Sequence, residues 1–284
     1  MKIALAQISP RLGNIQKNLE LHLETIEKAR RQKVRLLVFP ELSLTGYLLK
    51  DLVETVALDG RTSPVFKTLR AQSRDLSLVV GFVEEKPKNK GLFYNSAAFL
   101  DKGRVLHIHR KVFLPTSGMF EEGRFFAAGR NFRTFEAPGG NTGLLICRDF
   151  LHYAASYLLF AGGSEILIVI SAAPGRGLAG KAGFATSRMW ELMGEAISRF
   201  SSAFVIYCNR VGLEDGIVFA GGSFIFDPFG RRLAQARYFE KDLVVYDLDL
   251  GEIRKARKNW PWKRDDKPEV ILESLRRIVR DYED

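Results

Sequence analysis

Gly143-Leu144-Leu145-Ile146-Cys147-Arg148-Asp149-Phe150 is an apolar run that ends in a cysteine, two charged residues and an aromatic. Its first half, residues 143–147, has the composition of a buried strand, and from Phe150 a helical pattern continues over residues 150–161. A strand that turns directly into a helix is the repeating unit of an α/β protein, and the alternation recurs on both sides. Upstream, strands are predicted at residues 3–8, 35–39, 77–82, 96–100 and 104–109. Pro40 stops the second of these because it brings no N–H to a ladder. Downstream, strands are predicted at 165–171, 203–208, 222–227 and 243–248. Ile15, Leu19, His22, Ile26 and Ala29 recur at helical spacing and share one face, which makes His22 a packing residue. Further helices are expected over residues 61–74 and 184–201.

No linker, repeat or low-complexity tract divides the 284 residues, so a single domain over residues 1–284 is expected. From Gly251 onward the chain is a charged tail around Trp260-Pro261-Trp262, expected to pack at a subunit interface. The formal net charge of +10 brings acidic partners into view, but the basic residues are scattered and the densest run, Arg254 to Lys258, is short. The charge therefore reads as a solvated basic surface and not as a nucleic-acid site. The most apolar stretch, residues 154–170, is interrupted by Gly162, Gly163, Ser164 and Glu165, so no membrane span is expected. The N-terminus runs straight into a strand without a targeting pattern. Two cysteines far apart make no disulfide framework, and a cytoplasmic location is expected.

Three chemically distinctive residues stand where strands end: Glu41 after Leu37-Val38-Phe39-Pro40, Lys111 after Leu106 to Arg110, and Cys147 after Leu144-Leu145-Ile146. In open α/β sheets, side chains beyond the carboxyl ends of strands converge. Singly, each has a bland reading: a buried small thiol, a solvated carboxylate, a solvated ammonium. Together they make a coherent set. A thiol attacks a carbonyl once a carboxylate has taken its proton, and that carboxylate returns the proton to the leaving amine. An ammonium and a backbone N–H at the start of the following helix stabilise the oxyanion. The rivals fit less well. The four histidines supply no triad pattern. His107 and His109 share a strand face as a metal pair would, but no third His or Cys lies nearby in sequence, and no metal is expected. The Gly-rich stretches lack nucleotide-loop spacing, and no cofactor is expected.

Phe39-Pro40-Glu41-Leu42-Ser43-Leu44-Thr45-Gly46-Tyr47, then Arg110-Lys111-Val112-Phe113-Leu114-Pro115 with Phe120 to Phe126, then Leu144 to Asp149, resemble the three ordered signatures of the nitrilase superfamily of carbon–nitrogen hydrolases. The resemblance extends to Asn209-Arg210-Val211-Gly212 and Phe219 to Gly230, and so covers nearly the whole chain. It implies a four-layer αββα sandwich, no metal and no cofactor, and pairing of subunits through the helices after the second and third signatures. It also implies an amidase acting on a small-molecule amide through a cysteine thioester, with Glu41 as general base, Lys111 on the oxyanion, Cys147 as nucleophile and Glu122 supporting the lysine and positioning the substrate. Within the superfamily the chain is most similar to the glutaminase domain of glutamine-dependent NAD synthetase and to free-standing amidohydrolases near it. This rests on Leu92-Phe93-Tyr94-Asn95-Ser96-Ala97, Leu114-Pro115 and Phe120-Glu121-Glu122. Three alternatives stay open: a glutaminase subunit feeding ammonia to a separate synthetase, a catalytically silent binding protein on the same scaffold, and a nitrilase proper, which would use the same residues on a nitrile. The chain departs from the family at Arg148, where glutamate, tyrosine or tryptophan is common, and at Ala220, where the synthetase glutaminases have an acid. Arg148 is read either as a structural partner of Asp149 or Glu122, or as a fixed cation that positions substrates bearing a carboxylate.

Overall fold

Strands buried on both faces need apolar side chains at every position, and the first strand supplies them. Along β1 (Lys2–Gln7), Ile3 and Leu5 join one core while Ala4 and Ala6 join another, all fully buried. The same period of two sorts Val38 from Leu37, Val79 from Leu78 and Val80, and Phe99 from Ala98 and Leu100. The computed structural model describes residues 1–177 and 184–283. Four further strands of this first sheet follow: β2 (Leu36–Val38), β3 (Ser77–Glu85), β4 (Phe93–Asp101) and β5 (Arg104–Arg110). The second sheet begins with β6 (Phe135–Ala137), β7 (Gly140–Ile146), β8 (Ile166–Ser171) and β9 (Phe204–Asn209). A separate hairpin, β10 (Val211–Glu214) and β11 (Ile217–Ala220), comes next, then β12 (Phe224–Phe226) and β13 (Arg232–Gln235). Last, β14 (Asp242–Asp247) pairs antiparallel with β1. The two six-stranded sheets run in the orders β14-β1-β2-β3-β4-β5 and β13-β12-β9-β8-β7-β6.

The inner faces pack on each other, with Ile3, Leu5, Val38 and Phe99 meeting Leu145, Ile168, Ile206 and their neighbours in one core. The Cys208 thiol reaches across this interface, donating to the carbonyl of Val38 at 3.2 Å, and burial pushes its pKa up. On the outer face of the first sheet lie α1 (Ile15–Arg31) and α2 (Pro64–Gln72), burying Ile26, Ala29, Phe66 and Leu69. Helix α1 is N-capped by the Asn14 side chain, which accepts from the Lys17 N–H, and α2 by Ser63 ahead of a proline in its first turn. His22 is a core residue, stacked on Phe39 and bonded to the Asn18 carbonyl and Ser43 hydroxyl; burial pushes its imidazole down to about 4, so it is neutral.

The short α3 (Glu122–Phe125) follows the first sheet, and α4 (Arg148–Leu151) follows β7. Helices α5 (Tyr153–Ala161) and α6 (Ala185–Ser201) cover the second sheet through Ala155, Leu159 and Trp190. The result is the expected four-layer αββα sandwich. The helix expected over 150–161 is in fact two, because His152 is extended at φ −93°, ψ 102° and stacks on Phe113 with centroids 3.6 Å apart. The tail is more ordered than its charge suggested. It forms α7 (Gly251–Asn259), anchored by buried Ile253 and Ala256, then α8 (Trp262–Asp265) and α9 (Pro268–Glu283). Among the described residues, no helix is long and apolar enough to cross a membrane.

Candidate active site

The three sequence-nominated ends converge. Glu41 lies beyond β2 on a backbone that passes directly over β3: a Cβ at Gly81 would sit 2.4 Å from the Leu42 nitrogen and 2.7 Å from the Pro40 oxygen. Glycine at 81 is therefore what lets the Glu41 loop lie down there, with Leu42 itself at φ 47°. Lys111 follows β5, and its carbonyl accepts from the Gly129 N–H at 2.7 Å. A Cβ at Gly129 would approach the Arg110 oxygen to 2.2 Å, so this crossing too requires glycine. Cys147 directly follows β7 at φ 46°, ψ −103°, a left-handed backbone that a non-glycine residue adopts only when its surroundings impose it. The sharp turn exposes the thiol to the pocket at the start of α4, as nucleophile elbows do.

Glu41, Lys111 and Glu122 form a buried chain of charges. Lys111 Nζ donates to Glu41 Oε1 at 2.8 Å and to Glu122 Oε1 at 2.6 Å. Glu41 also accepts from Asn95 Nδ2 at 2.8 Å on the same oxygen, and from the Ala172 N–H at 2.7 Å on Oε2. All of these partners are donors, so the pocket is built for a carboxylate at 41. Burial alone would depress the Lys111 ammonium, but Glu122 and Glu41 outweigh it and hold it above its usual value. Burial pushes Glu122 up, countered by Lys111 and reinforced by Glu41. The Tyr47 hydroxyl donates to Glu122 Oε1 at 2.5 Å, and burial followed by the Glu122 charge keeps that phenol protonated. Glu122 Oε2 is buried and has no hydrogen-bond partner among the described residues.

Burial, with help from Glu41, pushes the Cys147 thiol up to about 12, while Lys111 and the neighbouring Ser171 hydroxyl pull the other way. At neutral pH the sulfur is a thiol, so attack requires a base that takes the proton during the reaction.

Two loops carry this chemistry, and Asp149 ties them together. One oxygen accepts from the N–H groups of Val112 and Phe113 at 3.0 and 2.9 Å, the other from His109 Nε2 at 2.8 Å and the Ile146 N–H at 3.3 Å. The segment after Lys111 is thus bolted to the turn that presents Cys147. Glu214, paired with buried Arg210 at 2.5 Å, accepts from the N–H groups of Tyr47 and Leu48 and fixes that loop from the other side. In sequence, Asp149 stood out only as a partner for Arg148, and Asn95 and Tyr47 had no role.

The structural reading of Arg148 is corrected. Asp149 is engaged by His109 and backbone, and Glu122 by Lys111 and Tyr47, so neither pairs with the guanidinium. Arg148 is exposed and lines a cavity of about 170 Å³ that opens onto Cys147, with Pro115, Phe120, Leu151, Arg176 and Trp190 among its walls. His107, the other half of the considered metal pair, stacks on Phe135 with centroids 4.4 Å apart.

Among known proteins, the family model for carbon–nitrogen hydrolases matches residues 2–258. A glutamine-dependent NAD(+) synthetase from Acinetobacter baylyi is 34% identical over 281 residues, covering 99% of this chain and 50% of that protein. The chain thus spans about half the length of that relative. An (R)-stereoselective amidase from a Pseudomonas species is 33% identical over 267 residues, covering 93% of this chain and 91% of the amidase. Among solved structures, a cysteine-to-alanine mutant of an amidase of the nitrilase superfamily from Nesterenkonia superimposes with a TM-score of 0.79 at 26% identity, covering 96% of each chain. The chain therefore belongs to the carbon–nitrogen hydrolase family of the nitrilase superfamily, enzymes that act on carbon–nitrogen bonds other than peptide bonds.

Proposed function

We propose that this protein is an amidase that cleaves a small-molecule amide through a thioester on Cys147. The observation that carries the reading is the buried Lys111 ammonium bridging Glu41 and Glu122 beside a thiol that is protonated at rest. Glu41 takes the thiol proton as sulfur attacks the amide carbon. The oxyanion is met by Lys111 Nζ and by the Arg148 N–H, which as the first residue of α4 has no partner within the helix. Glu41 then returns the proton to the leaving ammonia or amine, and afterwards activates the water that hydrolyses the thioester. Glu122 orients Lys111, and its unpartnered Oε2 is available to accept from the substrate amide N–H. The amidase relative, matched over nearly its full length, supports this activity. Ammonia release from simple aliphatic amides, measured beside the matching nitriles and a peptide, tests it: amides are expected to be turned over fastest, and a preference for nitriles would overturn it.

Lys111→Met is expected to lower kcat on the order of 10²–10³-fold, the scale of one lost oxyanion donor. It also leaves two buried carboxylates without their shared cation, so a loss of about 3–5 kcal/mol of stability should accompany it. A change in KM alone would make the lysine a substrate anchor.

A second reading is a glutaminase subunit that passes ammonia to a separate synthetase; the observation favouring it is the match to one half of the synthetase chain. Stimulation of glutamine hydrolysis by an added synthetase partner would support it.

We also propose that the chain forms a homodimer or larger homo-oligomer. Tyr153 and Leu158 on α5 and Leu192 and Phe200 on α6 are exposed large apolar residues, and α9 leaves Ile271, Leu275, Ile278 and Tyr282 uncovered. This apolar area on helices suits a second copy of the chain. Light scattering is expected to give at least twice 32.1 kDa at micromolar concentration; a monomer mass would count against pairing.

A further inference from the structure

The cavity above Cys147 has two chemically different ends. At its base lie the groups proposed to act on the scissile amide, and the acids there are already engaged with Lys111. At its mouth are Arg148 and Arg176, both exposed, set among the apolar Leu151, Met189 and Trp190. Neither guanidinium has a carboxylate partner among the described residues. Asp149, adjacent to Arg148 in sequence, spends its oxygens on His109 and on three backbone N–H groups. Arg176 is held in place without an acid: its guanidinium lies 5.1 Å from the centre of the Phe120 ring, and its backbone N–H donates to the Thr186 hydroxyl at 3.0 Å. Phe120 itself meets Tyr47 edge-on, the residue that hydrogen-bonds Glu122. The second arginine is thus stacked on a ring that is packed against the catalytic network.

Among the described residues, no Asp or Glu side chain lines this cavity. Two planar forks of donors with no competing carboxylate suit a carboxylate ligand. The same surroundings repel an ammonium, for which no acidic partner lines that end among the described residues. The cavity, about 170 Å³, is also below the ~300–1,000 Å³ typical of drug-sized ligands, which restricts it to small substrates.

We propose that Arg148 and Arg176 form a carboxylate-binding subsite at the mouth of the pocket, and that the substrates are small anionic amides, monoamides of dicarboxylic acids without a free ammonium group. This rests on the amidase reading and narrows it. It separates the chain from a glutaminase, since glutamine brings an ammonium as well as a carboxylate to the cationic end.

The test is ammonia release from four compounds of the same chain length: the monoamide of pentanedioic acid, pentanamide, 5-aminopentanamide and glutamine. In the native enzyme kcat/KM for the monoamide is expected to exceed that for pentanamide by about tenfold or more, equivalent to about 1.4 kcal/mol, and to exceed that for glutamine by a similar factor. The cationic amide should be the poorest. In Arg148→Gln and in Arg176→Gln the monoamide-to-pentanamide ratio should each fall about threefold, and in the double variant it should approach one. A native ratio near one, a ratio unmoved in both variants, or glutamine turned over as well as the monoamide would overturn the proposal while leaving an amidase. Release of ammonia from none of the four would instead overturn the amidase reading, and the subsite with it.

Discussion

Replacing Cys147 with alanine is expected to abolish ammonia release, a loss on the order of 10⁶, the scale reached when a hydrolase loses its nucleophile. The fold should survive. The residue occupies a left-handed backbone position that alanine tolerates no worse than cysteine, and only one buried atom is removed. A change of about 1 kcal/mol or less, or within about 4 °C in Tm for a chain of this size, is the expected cost. Cys208→Ala is the control. Its thiol is fully buried between the sheets against the Val38 carbonyl, out of reach of the pocket, so activity should be retained. Steady-state kinetics and thermal denaturation of the two variants distinguish a nucleophile from a packing residue. Equal losses of activity in both would mean that the cysteines matter only to the fold.

Glu41→Gln is expected to slow both halves of the reaction, by about 10²–10⁴-fold each if general acid–base catalysis is the main loss. The thiol is pushed up to about 12, so little thiolate exists at neutral pH to bypass the missing base. The substitution is not silent structurally. Glu41 accepts from Asn95, Lys111 and the Ala172 N–H, and a glutamine NH₂ must face one of these donors. One buried donor then loses its partner, which costs about 1–3 kcal/mol. Single-turnover measurements of acylation and of thioester hydrolysis check the kinetic part. If only acylation slowed, the water would be activated by another group.

The α/β alternation and the residues at its strand ends were readable because each rests on a local signal, whereas the four-layer arrangement came only from the resemblance to the nitrilase superfamily. Leu144-Leu145-Ile146-Cys147 is a continuous apolar run, as a strand covered on both faces must be, and a change of chemistry at its end marks the site. What escaped was carried by contacts distant in sequence. Asp149 looked like a neighbour for Arg148, yet at the start of α4 the two side chains diverge, and Asp149 finds the backbone of Val112 and Phe113 across the site. Asn95 stood in the family-like run Leu92 to Ala97, just ahead of the strand predicted at 96–100; only the pairing of β4 beside β3 and β5 brings it to Glu41. The division of the helix after Cys147 depends on the stacking of His152 on Phe113, which no periodicity encodes. Helix α9, by contrast, carries Val270, Ile271, Leu275, Ile278, Val279 and Tyr282 at helical spacing. That pattern was present in the sequence and was obscured by the charge around it.

Acyl-enzyme formation at Cys147 is the central claim, and intact mass spectrometry under turnover with a slowly hydrolysed amide tests it most directly. The protein should gain the mass of the acyl group alone, ammonia having left, and peptide mapping should find the adduct on Cys147; Glu41→Gln should lower its rate of appearance. An adduct on Cys208, or turnover persisting in Cys147→Ala with no adduct on either cysteine, would contradict the account.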